Sequence, residues 1–225
     1  MSEIFNIEKI LDVCNTIFNF FLLNLFFLIL NIPLVIFFFT LGISNVTTYF
    51  PLFLLCSIPL APSMCALFHV MNSFLRTKSF NIFFDLKKGI KLNLKQSLSV
   101  WIPELLIILV LHSNIKFFSS IYKNTIFACF FVGILLIILL STPFIFLLMT
   151  KFKMNNIQTI KAAVILTITR PILTITNFLL LIVSLVIFEV SPGTTVIFIF
   201  SLLAFFLVFS NRVLFKQLQE NSNIE

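Results

Sequence analysis

Six apolar runs, near residues 16–39, 50–74, 92–111, 125–149, 171–190 and 194–211, alternate with short polar gaps along the chain. Each is long enough to cross a hydrocarbon layer of about 30 Å, which takes roughly 20 residues at 1.5 Å rise. A second pattern occupies two of the gaps, near 80–95 and 156–169. In the first, Phe83, Leu86, Ile90 and Leu94 recur at helical spacing beside Lys87, Lys88, Lys91 and Lys95. In the second, Ile157, Ile160, Val164 and Ile168 recur beside Lys161. An apolar stripe flanked by lysines is the signature of a helix lying in the membrane surface, its ammonium groups reaching the lipid head groups. The pattern predicts an all-α polytopic membrane protein with six transmembrane helices and two cytoplasmic interfacial amphipathic helices, and no separate soluble domain.

The two amphipathic stripes align at a constant offset that sets Lys87 on Lys161. Each follows a run interrupted by proline, Ser57-Ile58-Pro59-Leu60-Ala61-Pro62 in one and Ser141-Thr142-Pro143 in the other. A repeat of span, amphipathic helix and span, used twice in the same orientation, fits this spacing, although a four-position match comes cheaply in so apolar a chain. Proline inside a span frees a backbone carbonyl that neighbouring side chains must satisfy, and Ser57 and Thr142 stand where they could do so.

Charge supplies the orientation. All of the fifteen Lys and Arg residues except Lys116 and Lys123 fall before the first run, in the stretch 75–97, in the fourth gap, or after the last run. Basic residues collect on the cytoplasmic side, so both termini and the lysine-rich gaps are expected inside. Composition agrees: 60% hydrophobic residues, 10% charged and a mean hydropathy of +1.16 exceed what a soluble core accommodates. The net charge of +7 sits beside membrane-spanning runs, so membrane lipids, not nucleic acid, are the expected partner. The segment before the first run carries Glu3, Glu8 and Asp12 against Lys9 alone, unlike a signal peptide, and that run is expected to stay as a helix.

Candidate chemistry is sparse. Glu104 follows Trp101 and Pro103 inside the third run, where a carboxylate is costly, and it should face protein or water. It reads either as a proton or cation site or as a structural partner of Lys95, Arg170 or His69. With Arg170 and His69 it forms a candidate intramembrane polar site. Lys87, Lys88, Lys91, Lys95 and Lys161 are candidate contacts for lipid or a protein partner. His69 lies near the cytoplasmic end of the second run and His112 near the outer end of the third, so they do not suggest a shared metal site. Asn15, Asn19, Asn24 and Asn31 give the first helix a polar edge that should face other helices. The four cysteines show no CxxC pair. No P-loop, GxSxG, HExxH or GxGxxG occurs, so no cofactor, no metal and no enzymatic activity are expected.

Several stretches together resemble the YesL-like integral membrane proteins, a bacterial family of unknown function. They are Asn24-Leu25-Phe26-Phe27 leading to Asn31-Ile32-Pro33, Pro59 through Leu67, Phe84 with the Lys91 to Leu98 stretch, Pro143, Ile157 through Ala163, and Arg170-Pro171 with Thr174. Where members of that family typically carry Gly-Pro-Ala, this chain has Ala61-Pro62-Ser63. The resemblance implies a multi-pass plasma-membrane protein associated with carbohydrate ABC transporter permease subunits or a sensor kinase. Two functions follow as expectations: a non-catalytic accessory or regulatory component of such a system, or a small secondary transporter using Glu104 and Arg170.

Overall fold

The computed structural model describes residues 7–77, 81–120 and 124–222, and among these every regular element is helical. The helices are α1 (Ile7–Leu30), α2 (Ile32–Leu41), α3 (Phe50–Cys56), α4 (Leu60–Thr77), α5 (Ile82–Ser120), α6 (Thr125–Lys151), α7 (Asn156–Thr169), α8 (Pro171–Val190), α9 (Pro192–Thr195) and α10 (Ile199–Ser222). Five of them, α1, α5, α6, α8 and α10, contain stretches long and apolar enough to cross a membrane. The pair α3 and α4, bent by 40° at the break between them, supplies a sixth when counted as one span. Their outward side chains are apolar, with Phe39 88% and Ile126 82% exposed, and lipid accommodates such a surface where water does not.

The breaks have local causes. The run near 16–39 is two helices, because Asn31 leaves the helical region and Pro33 occupies the first turn of α2, where its missing N–H costs nothing. Gly42 ends α2 at φ 75°, a conformation that suits a residue without Cβ, and its N–H still reaches Phe38 O at 3.1 Å. The run near 50–74 breaks at Ser57 to Pro59, as its prolines suggest. The last run starts later than residue 194, since α9 intervenes and α10 begins at Ile199.

The largest departure concerns the first amphipathic segment. Residues 82–95 do not form a separate interfacial helix: α5 continues through its 39 residues, about 58 Å at 1.5 Å per residue. No proline or glycine stands between Lys95 and Trp101, so nothing breaks the helix there. Its inward face also differs from the expected stripe, running through Ile82, Leu86, Gly89, Asn93, Ser97 and Trp101, while Phe83 and Leu94 point outward. The second amphipathic segment does form a helix of its own, α7. Asn155 caps it in a reciprocal capping box with Gln158. Ala163 and Leu166 of α7 pack inward and the Ile157, Ile160 and Ile168 stripe stays exposed.

α4 lies at the centre, touched by α1, α5, α6 and α10. Residues Ser63 to Phe68 are buried without interruption, so this helix is enclosed on all sides there. Small side chains permit the closest approach: a Cβ at Gly89 of α5 would stand 3.0 Å from His69 Cβ and 3.2 Å from Ala66 Cα on α4.

Candidate functional site

Glu104 sits in the middle of α5, one residue after Pro103, and is 7% exposed. α5 and α6 pack side by side, which brings the proline-bearing turns of both helices together. Thr142 Oγ1 of α6, beside Pro143, donates to Glu104 Oε1 at 2.6 Å and also lies 3.0 Å from Ile138 O. Thr142 thus serves Glu104 instead of the Leu139 carbonyl that Pro143 frees. The other carboxylate oxygen, Oε2, is buried and has no hydrogen-bond partner among the described residues.

One turn away, Trp101 anchors the broken span. Its indole N–H donates to Ser57 O at 2.9 Å, a carbonyl exposed by the α3–α4 break that also accepts Leu60 N–H at 3.1 Å. The Trp101 ring meets Phe146 of α6 edge-on at 5.4 Å. Ser57 turns its own hydroxyl back to Leu54 O at 2.7 Å.

None of the expected charged partners joins Glu104. Lys95 and Arg170 are exposed, Arg170 at the junction of α7 and α8, and the charged groups facing half-buried His69 are Asp85, Lys88 and Arg76. The three residues of the candidate polar site therefore occupy three places. The five candidate lysines, Lys87, Lys88, Lys91, Lys95 and Lys161, are all exposed, the first four along α5 and the last on α7. Of the four asparagines expected along the first helix, Asn15 is exposed and Asn19 half-buried, while Asn24 and Asn31, the latter just past α1, are enclosed. Asn31 donates to Phe27 O at 2.9 Å and to Ser63 Oγ at 2.7 Å, tying the α1–α2 break to α4. Asn24 accepts from Phe200 N at 3.0 Å and Ser201 N at 3.3 Å, and its amide donates to Val196 O. It thereby caps the first turn of α10 from another helix.

Two of the polar contacts that have no counterpart in the sequence-based expectations lie on α8. Asn211 of α10 donates to Asn177 Oδ1 of α8 at 2.8 Å within a buried pair, and Thr174 Oγ1 donates to Thr167 O at 2.9 Å across the α7–α8 junction. An Asn inside an apolar run was the available signal for the first. Pro171, which removes the N–H that would serve Thr167 O, was the signal for the second. No group of three or more His, Cys, Asp or Glu side chains that could hold a metal occurs among the described residues. The four cysteines are unpaired, with Cys65 buried in the core.

The arrangement can bind helices to one another, and it leaves one carboxyl oxygen, Glu104 Oε2, without a hydrogen-bond partner among the described residues. Comparison with known protein families, with characterised proteins and with solved structures finds no match, so the resemblance drawn above rests on the quoted residues alone.

Proposed function

We propose that the protein is a non-catalytic multi-pass membrane protein of the bacterial plasma membrane, an accessory or regulatory component of a carbohydrate ABC transport or sensing system with both termini in the cytoplasm. The observation that carries the accessory part is where the polar chemistry lies. Inside, Asn24, Asn31, Thr174 and the Asn177–Asn211 pair make hydrogen bonds that join neighbouring helices, while Asn31 Oδ1, Asn177 Nδ2 and Asn211 Oδ1 are buried without a partner among the described residues. Outside, α5 and α7 present apolar side chains beside lysines, Phe83 and Phe84 next to Lys87 and Lys88, Ile157 and Ile160 next to Lys161. On this reading the lysine-edged surface of α5 and α7 is where the partner sits. The carbohydrate system itself rests on the resemblance.

A small secondary transporter is the second reading, favoured by the unpartnered Oε2 of Glu104. Against it, Arg170, the other proposed coupling group, is exposed at a helix junction. Copurification from native membranes after mild cross-linking separates the two. A permease or sensor kinase recovered in stoichiometric amount supports the accessory role. Solute flux through the purified protein alone in liposomes, abolished by Glu104→Gln, replaces it with transport.

A further inference from the structure

Glu104 differs from the other carboxyl groups among the described residues in being buried, since Asp85 is half-buried and Asp12, Glu189 and Glu220 are exposed. An ionised carboxylate offers about four lone-pair positions, and away from water it needs donors or a cation to fill them. Glu104 lacks both. Thr142 Oγ1 meets Oε1, Oε2 meets no donor, and Thr142 is the only polar side chain facing the carboxyl among the described residues. The basic groups of the helices packed on α5 are engaged or turned elsewhere. His69 of α4 faces Asp85, Lys88 and Arg76, Lys151 of α6 lies over the Phe215 ring at 5.0 Å, and Lys161 of α7 is exposed, as are Lys95 and Lys116 of α5 itself.

Thr142 shows the same imbalance. Its hydroxyl has one hydrogen, yet Oγ1 stands 2.6 Å from Glu104 Oε1 and 3.0 Å from Ile138 O, which are two acceptors when the carboxyl is ionised. A proton on Oε1 resolves both contacts: the carboxyl donates to Thr142 Oγ1, and the Thr142 hydroxyl donates to Ile138 O. Oε2 is then a neutral carbonyl oxygen without a donor, which costs far less than a bare carboxylate.

We propose that Glu104 is a proton-binding site, a neutral carboxylic acid in the folded protein at neutral pH, held between the proline-bearing turns of α5 and α6 with its O–H on Thr142 Oγ1. The ligand is the proton itself. A divalent metal finds no cluster of ligands there, because no group of three or more His, Cys, Asp or Glu side chains that could hold one occurs among the described residues. The site is independent of both functional readings: in a transporter it would carry the coupling proton, and in an accessory component it is a fixed donor joining two helices.

The test is infrared absorption of the purified full chain at neutral pH, in a detergent free of ester carbonyls, where the carbonyl stretch of a neutral carboxylic acid stands apart from the carboxylate bands. A band with the intensity of a single carboxyl group is expected, shifted by isotope-labelled glutamate, lost in Glu104→Gln and kept in Asp85→Asn. Thr142→Val should keep the band and move it to higher frequency, because the O–H loses its acceptor. Gln presents an N–H where the acid has its O–H, so Glu104→Gln retains the Thr142 contact and is expected to fold; the labelled, unsubstituted protein needs no variant at all. Absence of the band from the unsubstituted protein overturns the site, as does a band that survives Glu104→Gln. A band unmoved by Thr142→Val overturns the Thr142 contact. Loss of the band when sodium or lithium replaces a bulky organic cation at the same ionic strength overturns the site too, by showing a metal ion in the place of the proton.

Discussion

Residues 82–95 run into the following span without interruption, whereas α7, which carries the matching pattern of isoleucines and lysine, stops at Thr169 and passes to α8 through Arg170. With Lys87 set on Lys161, Gly89 falls on Ala163 and Asn93 on Thr167, and all four are buried. Up to that point the segments use corresponding faces. One turn later Ser97 falls on Pro171. Ser97 has an N–H and continues the helix. Pro171 has none, forces Arg170 out of the helical region at φ −120°, ψ 63°, and leaves Thr167 O to be served by the Thr174 hydroxyl. The pair Ser97 and Pro171 thus marks where the two segments part, one prolonging a span and the other folding away from it.

The comparison can be broken most severely by Ser97→Pro, which imports the junction into α5 without a Thr174 to repair it. The expected loss is about 3 kcal/mol or more, read by unfolding in bicelles, with a shortened spin-label distance across residue 97. A stability equal to the parent would show that α5 is already hinged there. Gly89→Leu comes next: the side chain meets Ala66 and His69 at once, at an expected cost of about 1–3 kcal/mol. Gly133→Leu, with no atom within 4 Å of its Cβ position, is the control and should be close to neutral. Thr174→Val leaves Thr167 O without a donor and should lose about 0.6–1.7 kcal/mol, the scale of interhelical hydrogen bonds in membranes. Smallest is Pro171→Ala, expected to change stability by less than about 1 kcal/mol because α7 remains packed on α6. Labels either side of Arg170 should keep their distance, and a lengthened one would make proline the sole cause of the bend.

Much of the helical plan was legible because its causes are local. The stretches 156–169 and 171–190 coincide with α7 and α8, and the Ser57 to Pro62 segment marks the bend between α3 and α4. Pro33 signalled the α1–α2 break, but the unbroken apolarity around it read as one span. The continuity of α5 was harder, since an amphipathic pattern followed by an apolar one looks the same whether or not a turn lies between. The candidate site was less readable still. That Glu104 stands in a costly place follows from its neighbours in the chain. That Thr142 meets it, and that Arg170 and His69 do not, depends on how α5 lies against α6, and apolar helix faces carry no mark of which neighbour they choose.

Asn24 joins the first long helix to the last, accepting the amides of Phe200 and Ser201 some 176 and 177 residues further along. During synthesis α1 is laid down long before α10 exists, and until then its amide has no such mate in the bilayer. Closing of the assembly is thus a late event that joins distant parts of the chain. Any lesion that delays α10 strands a polar group on the earliest helix, where quality-control proteases that survey membranes for such groups would find it.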